Sequence, residues 1–177
     1  MEKKKPFSEI PHIYGNGVEL RAIGRESAEG LRALTGDEAV YRYLPTFLFE
    51  KKYDAETVID RLYDECLKES LFLGIYKDGA FCGIIELYGR RDEIRKISVG
   101  YRLRPAYWGQ GIASEALRLM IDYLYTGTDI EIVTASTMIE NAASAKVLQK
   151  NGFTQVVHAV YEDWGFDAPV LTDKWIR

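Results

Sequence analysis

The spacing of apolar residues predicts a strand and then helices in the first part of the chain. Residues 18–23 alternate apolar and polar side chains, which is typical of a half-buried strand. Short helical patterning surrounds Leu31 and Leu34. Behind Asp54, a residue type that suits a helix N-cap, apolar pairs recur every four residues, so a helix is predicted over 54–70.

A hairpin and a β-α-β pattern follow. Apolar runs at 71–76 and 80–88 flank the turn Lys77-Asp78-Gly79, and Asp-Gly between such runs is a strong hairpin signal. A second hairpin through 90–93 leads to the next predicted strand. The remaining predicted elements are strand 94–103, helix 109–125, strand 130–136, helix 141–150 ending at Asn151-Gly152, and strands 153–161 and 170–176.

This order of elements predicts the fold class. Antiparallel hairpins that feed a β-α-β unit imply an α/β fold with a mixed, mostly antiparallel central sheet of about six to seven strands, flanked by helices. Residues 1–16 are polar and contain two prolines and a glycine, so we expect an N-terminal arm there. Residues 17–177 show no repeat or linker, and we expect them to form a single domain.

Composition narrows the function. The 177 residues carry a net charge of −4, which argues against nucleic acid as a partner, because phosphate neutralisation needs clustered Lys and Arg. The charged start is not followed by an apolar run, and later runs stay below the ~20 apolar residues of a membrane span. A cytoplasmic protein without a membrane partner is therefore expected.

The cysteines and histidines indicate no metal site. Cys66 and Cys82 have neither CxxC nor other metal-ligand spacing, and His12 and His158 are far apart in the sequence. We therefore expect neither a disulfide framework nor a bound metal.

The turn Gly109-Gln110-Gly111 is the strongest candidate for chemistry. It follows a predicted strand and opens a predicted helix, where unpaired N–H groups and the helix dipole favour an anion. Glycine lets successive amides approach a phosphate closely. A plain strand-to-helix connection with glycines is the alternative.

A dinucleotide-binding fingerprint is a further alternative for this turn, since Asp129 lies about 20 residues onward. Three features disfavour it. Ser114 replaces the third glycine or alanine, Asp129 begins the next strand instead of ending it, and hairpin strands precede the motif.

Two longer runs carry a family resemblance. Residues 100–103 with 107–117 resemble the acetyl-CoA motif of the GCN5-related N-acetyltransferases, most closely the branch that includes the ribosomal-protein N-terminal acetyltransferases. Residues 140–153 resemble that branch's second motif, at the family's order and spacing. The resemblance extends over nearly the whole chain from about residue 17, and it implies that fold, acetyl-CoA as co-substrate and acetyl transfer to a primary amine.

The resemblance also implies a cofactor site. The pantetheine arm would pair with the main chain along Tyr101 to Leu103, and Asn141 and Ser144 would face the thioester. Asn141 suits a helix N-cap equally well. The pyrophosphate would lie on the turn and the helix start, which comprise Trp108, Gly109, Gln110, Gly111, Ile112, Ala113 and Ser114.

Departures from the family pattern affect the catalytic residues. Leu148 stands where some relatives have an acidic tyrosine, so Ser144 is the remaining candidate proton donor. Ser98 stands where many relatives have Glu. Asp163 then matches a carboxylate position proposed in the same branch, with Glu162 and Glu86 as further candidates for the base. A solvated or salt-bridged acid is the alternative for all three carboxylates.

The acceptor is left open. Tyr41, Tyr43 and Phe47 lie where relatives border the acceptor site, and Tyr88, Tyr161 and Trp164 could join them, although core packing explains such aromatics as well. A small-molecule amine and a protein N-terminus are both consistent with this cluster. Because Leu148 and Ser98 replace the family's tyrosine and glutamate, a non-catalytic acyl-CoA-sensing module is an alternative function. An NAD-binding domain, suggested by the glycine turn, is a third. The sequence does not decide the oligomeric state, a homodimer being one alternative.

Overall fold

The computed structural model describes residues 7–65, 67 and 69–177. Within them, eight strands form one sheet, one or two more than expected. The strands are β1 Ile13–Gly15, β2 Val18–Arg21, β3 Leu71–Lys77, β4 Ala80–Arg91, β5 Lys96–Leu103, β6 Ile132–Met138, β7 Thr154–Glu162 and β8 Val170–Ile176.

The additional strand is β1, which lies inside the segment expected to be an arm. It pairs antiparallel with β2 through the turn Asn16-Gly17, whose φ angles of 49° and 75° are both positive. Asn-Gly is the preferred dipeptide for such a two-residue hairpin turn. The dipeptide Asn16-Gly17 therefore indicated a hairpin in the sequence. The three residues of β1 before it are too few to show an alternating pattern.

Helices cover both faces of the sheet. They are α1 Ala28–Thr35, α2 Glu38–Tyr41, α3 Ala55–Glu65, α4 Ile112–Gly127 and α5 Ala142–Lys150. The expected cap of α3 is confirmed, since the amide of Thr57 donates to Asp54 Oδ1 at 3.0 Å. This helix ends at Glu65 and does not reach Ser70, and Cys66 lies outside the described residues. In the described part of the chain, no helix has both the length and the apolar character that a membrane crossing requires.

The sheet order is β1-β2-β3-β4-β5-β6-β8-β7, which confirms the mixed, mostly antiparallel α/β class. Among the described strands, only β5 and β6 pair in parallel, since α4 connects them as a crossover helix. Ile97, Val99 and Leu103 of β5 point into the larger core beneath α4 and α5. The even-numbered side chains of β5 face the opposite side of the sheet, where α1, α2 and α3 pack further along, over β3 and β4.

Candidate active site

A cleft opens in the middle of the sheet, between β5 and β6. Their pairing ends at Ser98 and Thr134, although β5 continues to Leu103 and β6 to Met138. Beyond that pair, β6 remains bonded to β8 on its other side, and β5 to β4. The two parallel strands therefore diverge, and their main chains border a cavity of about 1800 Å³.

The main chain of β5 directs polar groups into this opening. The carbonyl of Arg95 accepts from the amide of Glu131 at 2.9 Å, so odd-numbered residues of β5 point their N–H and C=O groups toward β6. By this alternation, the polar groups of Val99 and Tyr101 face the cleft where β6 has moved away. The carbonyl of Leu103 is already used, since the indole Nε1 of Trp108 donates to it at 2.8 Å.

The glycine turn lies at the end of β5. Gly109 and Gly111 have φ angles of 70° and 76°, a region that glycine adopts without the penalty of a side chain. A Cβ added at either position would meet no atom within 4 Å, so their outer side is open. The helix α4 begins directly afterwards, with the amide of Glu115 donating to the carbonyl of Gly111 at 3.0 Å. The amides before Glu115 have no partner within the helix, so they remain available to donate to an anion.

Asn151 joins α4 to the end of α5. Its Nδ2 donates to the carbonyl of Ser114 at 3.2 Å, to Ser114 Oγ at 3.1 Å and to the carbonyl of Val147 at 3.0 Å. Asn151 is buried, so these bonds hold the two helices in register. The sequence had suggested Asn151 only as part of a helix end.

The first turn of α5 also borders the cleft. Asn141 is the N-cap, with its Oδ1 accepting from the amide of Ser144 at 3.2 Å, as the capping interpretation predicted. Ser144 Oγ lies 2.9 Å from Tyr101 Oη, which also donates to the carbonyl of Ser144 at 3.2 Å. Burial raises the pKa of Tyr101, so the phenol keeps its proton at neutral pH. The sequence had predicted a role only for the main chain of Tyr101, in pairing with the pantetheine arm, and none for its side chain.

Three charged side chains form a buried network on the other face of the sheet. Arg102 Nη2 donates to Glu86 Oε2 at 3.2 Å, and its Nε approaches Glu50 Oε1 to 2.5 Å without hydrogen-bond geometry, as an ion pair. Burial lowers the pKa of Arg102, but the charges of Glu50 and Glu86 outweigh it and raise that pKa overall. Tyr41 Oη donates to Glu50 Oε1 at 3.2 Å and completes the network.

One oxygen of Glu86 remains directed at the cleft. Glu86 pairs with Gly100 across β4 and β5, and its Oε1 would lie 3.0 Å from a Cβ added at Gly100. Any side chain at Gly100 would therefore displace it. Among the described residues, no hydrogen bond engages Oε1. Glu86 thus has one carboxylate oxygen held by Arg102 and a second that remains available. The second oxygen lies over Gly100, two residues past Ser98, where β5 and β6 begin to diverge.

The other two candidate carboxylates differ in position. Glu162 borders the cleft, with Oε2 accepting from Thr172 Oγ1 at 2.6 Å and Oε1 paired with Lys174. Burial raises its pKa, but the bonds from Lys174 and Thr172 outweigh burial and lower the pKa overall. Asp163 is exposed, accepts from the amide of Gly165 at 2.9 Å and is not among the residues that line the cleft.

The aromatic residues are only partly brought together. Tyr43, Phe47, Tyr88 and Trp164 line the cleft, whereas Tyr161 is 72% exposed on the edge strand and lies outside it. Tyr41 is in the buried network and does not line the cleft either. The amide of Thr46 donates to the carbonyl of Trp164 at 2.9 Å, which joins the segment after α2 to the loop after β7 across this side of the cleft.

The structure brings most of the expected cofactor-binding residues to one cavity. Gln110 is the exception, because its side chain turns back and donates to the carbonyl of Ala106 at 2.9 Å. The expected residues that line the cavity are Tyr101, Leu103, Trp108, Gly109, Gly111, Ile112, Ala113, Ser114, Asn141 and Ser144.

Comparisons with known proteins agree with this architecture. Residues 18–154 match the family described as acetyltransferase (GNAT) domain. A spermidine N(1)-acetyltransferase of Escherichia coli K12 is 28% identical over 142 residues, covering 78% of this chain and 74% of the relative. A putative ribosomal N-acetyltransferase of Bacillus subtilis is 29% identical over 145 residues, covering 78% of each chain.

Similarity to solved structures extends over almost the whole chain. A ribosomal L7/L12 alpha-N-protein acetyltransferase, solved in complex with coenzyme A, superposes with a TM-score of 0.81 at 17% identity. The alignment covers 94% of this chain and 97% of that protein. At this identity the likeness shows the fold.

Proposed function

The chain belongs to the GNAT acetyltransferase family and is an acetyl-CoA-dependent N-acetyltransferase, and we propose that it acetylates a primary amine directly in the cleft between β5 and β6. The observation that carries this proposal is the divergence of β5 from β6 beside the glycine turn. Main-chain groups of β5, the amides of a helix start and a carboxylate oxygen of Glu86 border this one cavity, which supports the proposal. Relatives acting on spermidine or on ribosomal proteins are consistent with an amine acceptor, either a small molecule or a protein N-terminus.

The cofactor half of the cleft supports binding through the main chain. The pyrophosphate would accept from the amides between Gly109 and Ser114, and the pantetheine amides would pair with the main chain of Tyr101. The pantetheine arm was expected to pair with the main chain as far as Leu103. Because the indole of Trp108 already donates to the carbonyl of Leu103, the pantetheine would share that acceptor with the indole. The amide of Val99 would donate to the thioester carbonyl as charge develops on its oxygen.

The acceptor half supplies the group that removes the proton. We assign this role to Glu86, because its Oε1 is directed over Gly100 without a partner among the described residues. Asp163, the first choice from the sequence, does not line the cleft and accepts from the amide of Gly165, and Glu162 is engaged by Lys174 and Thr172. The amine would first bind Glu86 as an ammonium, release a proton to it, and then attack as the neutral form.

Transfer then needs a proton for the departing sulfur. As the amine nitrogen bonds to the carbonyl carbon and the C–S bond breaks, the thiolate would take a proton from Ser144 Oγ. The nitrogen would lose its second proton to solvent in the open cleft as it becomes an amide, and this loss balances the proton given to the sulfur. Tyr101 Oη lies 2.9 Å from that oxygen and can replace the proton. In some relatives a tyrosine at the position of Leu148 supplies this proton. Leu148 is buried here, and the pair Ser144 and Tyr101 would supply the proton instead. No covalent enzyme intermediate is required.

The catalytic unit extends over most of the chain. Phe7 and residues between Ala39 and Ile176 line the cleft, and β2 joins its sheet through β3. We keep the proposal that residues 17–177 act as one domain, to which the expected arm adds Phe7 as a cleft residue and β1 as an edge strand.

A binding measurement followed by a turnover measurement tests this function. Acetyl-CoA, CoA and NAD would be compared for thermal stabilisation, where a ligand at ~100 times its Kd adds about 2.7 kcal/mol. We expect stabilisation by acetyl-CoA and CoA but not by NAD, and then release of free CoA that depends on an added amine. Stabilisation without CoA release from any amine would favour the acyl-CoA-sensing alternative, and stabilisation by NAD alone would favour a dinucleotide domain.

A further inference from the structure

The sheet face on the acceptor side of the cleft is unusually polar. Strand register places side chains from four strands on that face, next to the point where β5 and β6 diverge. We call this group the polar floor, and it consists of Lys96, Ser98, Thr134, Ser136, Lys174 and Glu162.

The two lysines of the polar floor differ in their partners. Lys174 pairs with Glu162 and donates to Ser136 Oγ at 2.9 Å. Lys96 donates only to Ser98 Oγ, at 3.4 Å, and no carboxylate among the described residues forms an ion pair with it. Lys96 is therefore a half-buried ammonium whose charge the surrounding side chains do not balance.

The surroundings of Lys96 are positive. Burial lowers its pKa, and the charges of Arg91 and Lys174 lower it further. Arg91 stands directly opposite Lys96 on β4. An anion bound at this position would relieve both the desolvation of the ammonium and its repulsion from the neighbouring cations.

Two hydroxyl groups stand beside the Lys96 ammonium. Ser98 Oγ and Thr134 Oγ1 lie 2.9 Å apart across the last pair of β5 and β6, and Thr134 Oγ1 also approaches the carbonyl of Ile97 at 3.4 Å. Hydroxyl groups rotate to suit a partner, so both can turn their protons toward an anion. The result is a set of three donors on one side of the cleft.

The negative charge of Glu86 lies on the same face of the sheet, beyond the polar floor. Glu86 Oε1 is directed over Gly100, which is four residues from Lys96 along β5, or about 13 Å between their Cα atoms. Because Lys96 Nζ extends back to Ser98, the separation between the two charged groups is shorter than that. Glu50 and Glu86 share the single guanidinium of Arg102, so this region carries an excess of negative charge.

We propose that the acceptor carries an anionic group as well as its primary amine, with the amine at Glu86 and the anion bound by Lys96 and the hydroxyls of Ser98 and Thr134. The anion can be a carboxylate or a phosphate, because both accept from ammonium and hydroxyl donors. This inference rests on the proposed function and narrows its substrate class. It distinguishes this chain from its relative that acts on spermidine, a polyamine without an anionic group.

Matched amines test the proposal. Amine-dependent CoA release would be measured with 4-aminobutyrate against butylamine, and with O-phosphoethanolamine against ethanolamine, so that each pair differs only in its anion. We expect kcat/KM to favour at least one anionic member by about tenfold, the effect of one charge-assisted hydrogen bond. The pair with the larger ratio identifies carboxylate or phosphate as the natural anion.

Three variants localise the effect. Lys96→Met removes the charge at similar length and should abolish the preference while leaving turnover of the uncharged member within about threefold. Lys96→Arg should restore most of the preference. Lys77→Met removes an ammonium at the end of β3, outside the cleft, and should leave the preference as it is in the wild type. An equal rate for both members of each pair, or an unchanged preference in Lys96→Met, would overturn the proposal.

A binding measurement separates this proposal from the proposed function. The same amines would be titrated calorimetrically into the complex with CoA, where no transfer occurs. Tighter binding of the anionic members that disappears in Lys96→Met supports the anion site even if no amine is turned over. Equal binding of both members by the wild type contradicts it even if acetylation is observed.

Discussion

In the site we propose, the two halves of the cleft would bind their substrates with different parts of the chain. The cofactor half, from Tyr101 to Ser114, offers mainly amides and carbonyls, fixed by a strand end, two glycines with positive φ and a helix start. The acceptor half offers side chains from five strands, with Glu86 and Lys96 on neighbouring strands of the same face. Apart from Tyr101, whose phenol contacts Ser144, a substitution in the first half acts on binding mainly if it alters the main chain, whereas a single side chain can alter the second.

This difference explains how an acceptor can change within a constant fold. Main-chain groups remain when side chains vary, so a phosphate site on the turn survives changes in sequence. The acceptor half depends on particular charges, which one substitution adds or removes. Under our proposals, acceptor specificity would therefore depend on the polar floor, and acetyl-CoA would be held by the turn.

The largest expected effect is on the acceptor side. Glu86→Gln should lower kcat by about 10³-fold, because the amide keeps the bond to Arg102 but cannot take a proton from the amine. Steady-state CoA release measures this loss. Thermal stabilisation by acetyl-CoA should stay at the wild-type value, and a kcat within threefold of wild type would exclude Glu86 as the base.

The next largest effect is expected for the proposed proton donor, the pair Tyr101 and Ser144, which lies between the cofactor half and the acceptor half of the cleft. Tyr101→Phe and Ser144→Ala should each lower kcat by about 10²-fold, since both break the same 2.9 Å bond. Because the two residues act as one unit, the double variant should lose little more than either single variant. Fully multiplicative losses would show instead that they act independently.

A matched pair of glycines tests the cofactor half. Gly111→Ala and Gly79→Ala both place a Cβ at positive φ, 76° and 79°, with no atom within 4 Å, so each should cost about 1–2 kcal/mol of stability. Gly79 lies in the hairpin turn between β3 and β4, outside the cleft. Calorimetry should therefore show about tenfold weaker acetyl-CoA binding for Gly111→Ala alone, since the added methyl group lies beside the phosphate. Equal affinities of the two variants for acetyl-CoA would show that the glycine turn at 109–111 is not part of the binding site.

The smallest effect is the pH dependence of the ion pair on the polar floor. The bonds from Lys174 and Thr172 hold the pKa of Glu162 below its unfolded value, so its contribution to stability is present above about pH 4.3 and is lost as the pH falls through the folded pKa. Glu162→Gln should therefore be less stable than the wild type at pH 7, by up to about 1 kcal/mol, and the difference should shrink as the pH is lowered to 3. Urea unfolding at both values measures this, and a constant difference would rule out titration of Glu162.

Much of the fold was predictable because local patterns agree with it. The strand Val170–Ile176 has the predicted limits, and β3 to β6 with α4 and α5 lie within about three residues of theirs. Errors occur where the pattern is short. The three residues of β1 are too few to show a period, and the end of α3 was placed too late because its apolar spacing continues past Glu65.

The sequence by itself determined the family, the position of the glycine turn before α4 and the capping residue Asn141. Each of these depends on a run of adjacent residues, so the spacing along the chain carries the information. Glycines beside a helix start predict an anion site wherever the rest of the chain lies.

Only the tertiary structure decided which side chains line the cleft. Glu86 and Asp163 are equally acidic in the sequence, but strand register directs Glu86 over Gly100, and the turn after β7 directs Asp163 to its own loop. Likewise, Tyr101 meets Ser144 across 43 positions of chain. Such contacts depend on strand register and helix packing, which bring together residues from distant segments, and no local pattern encodes the distance between them.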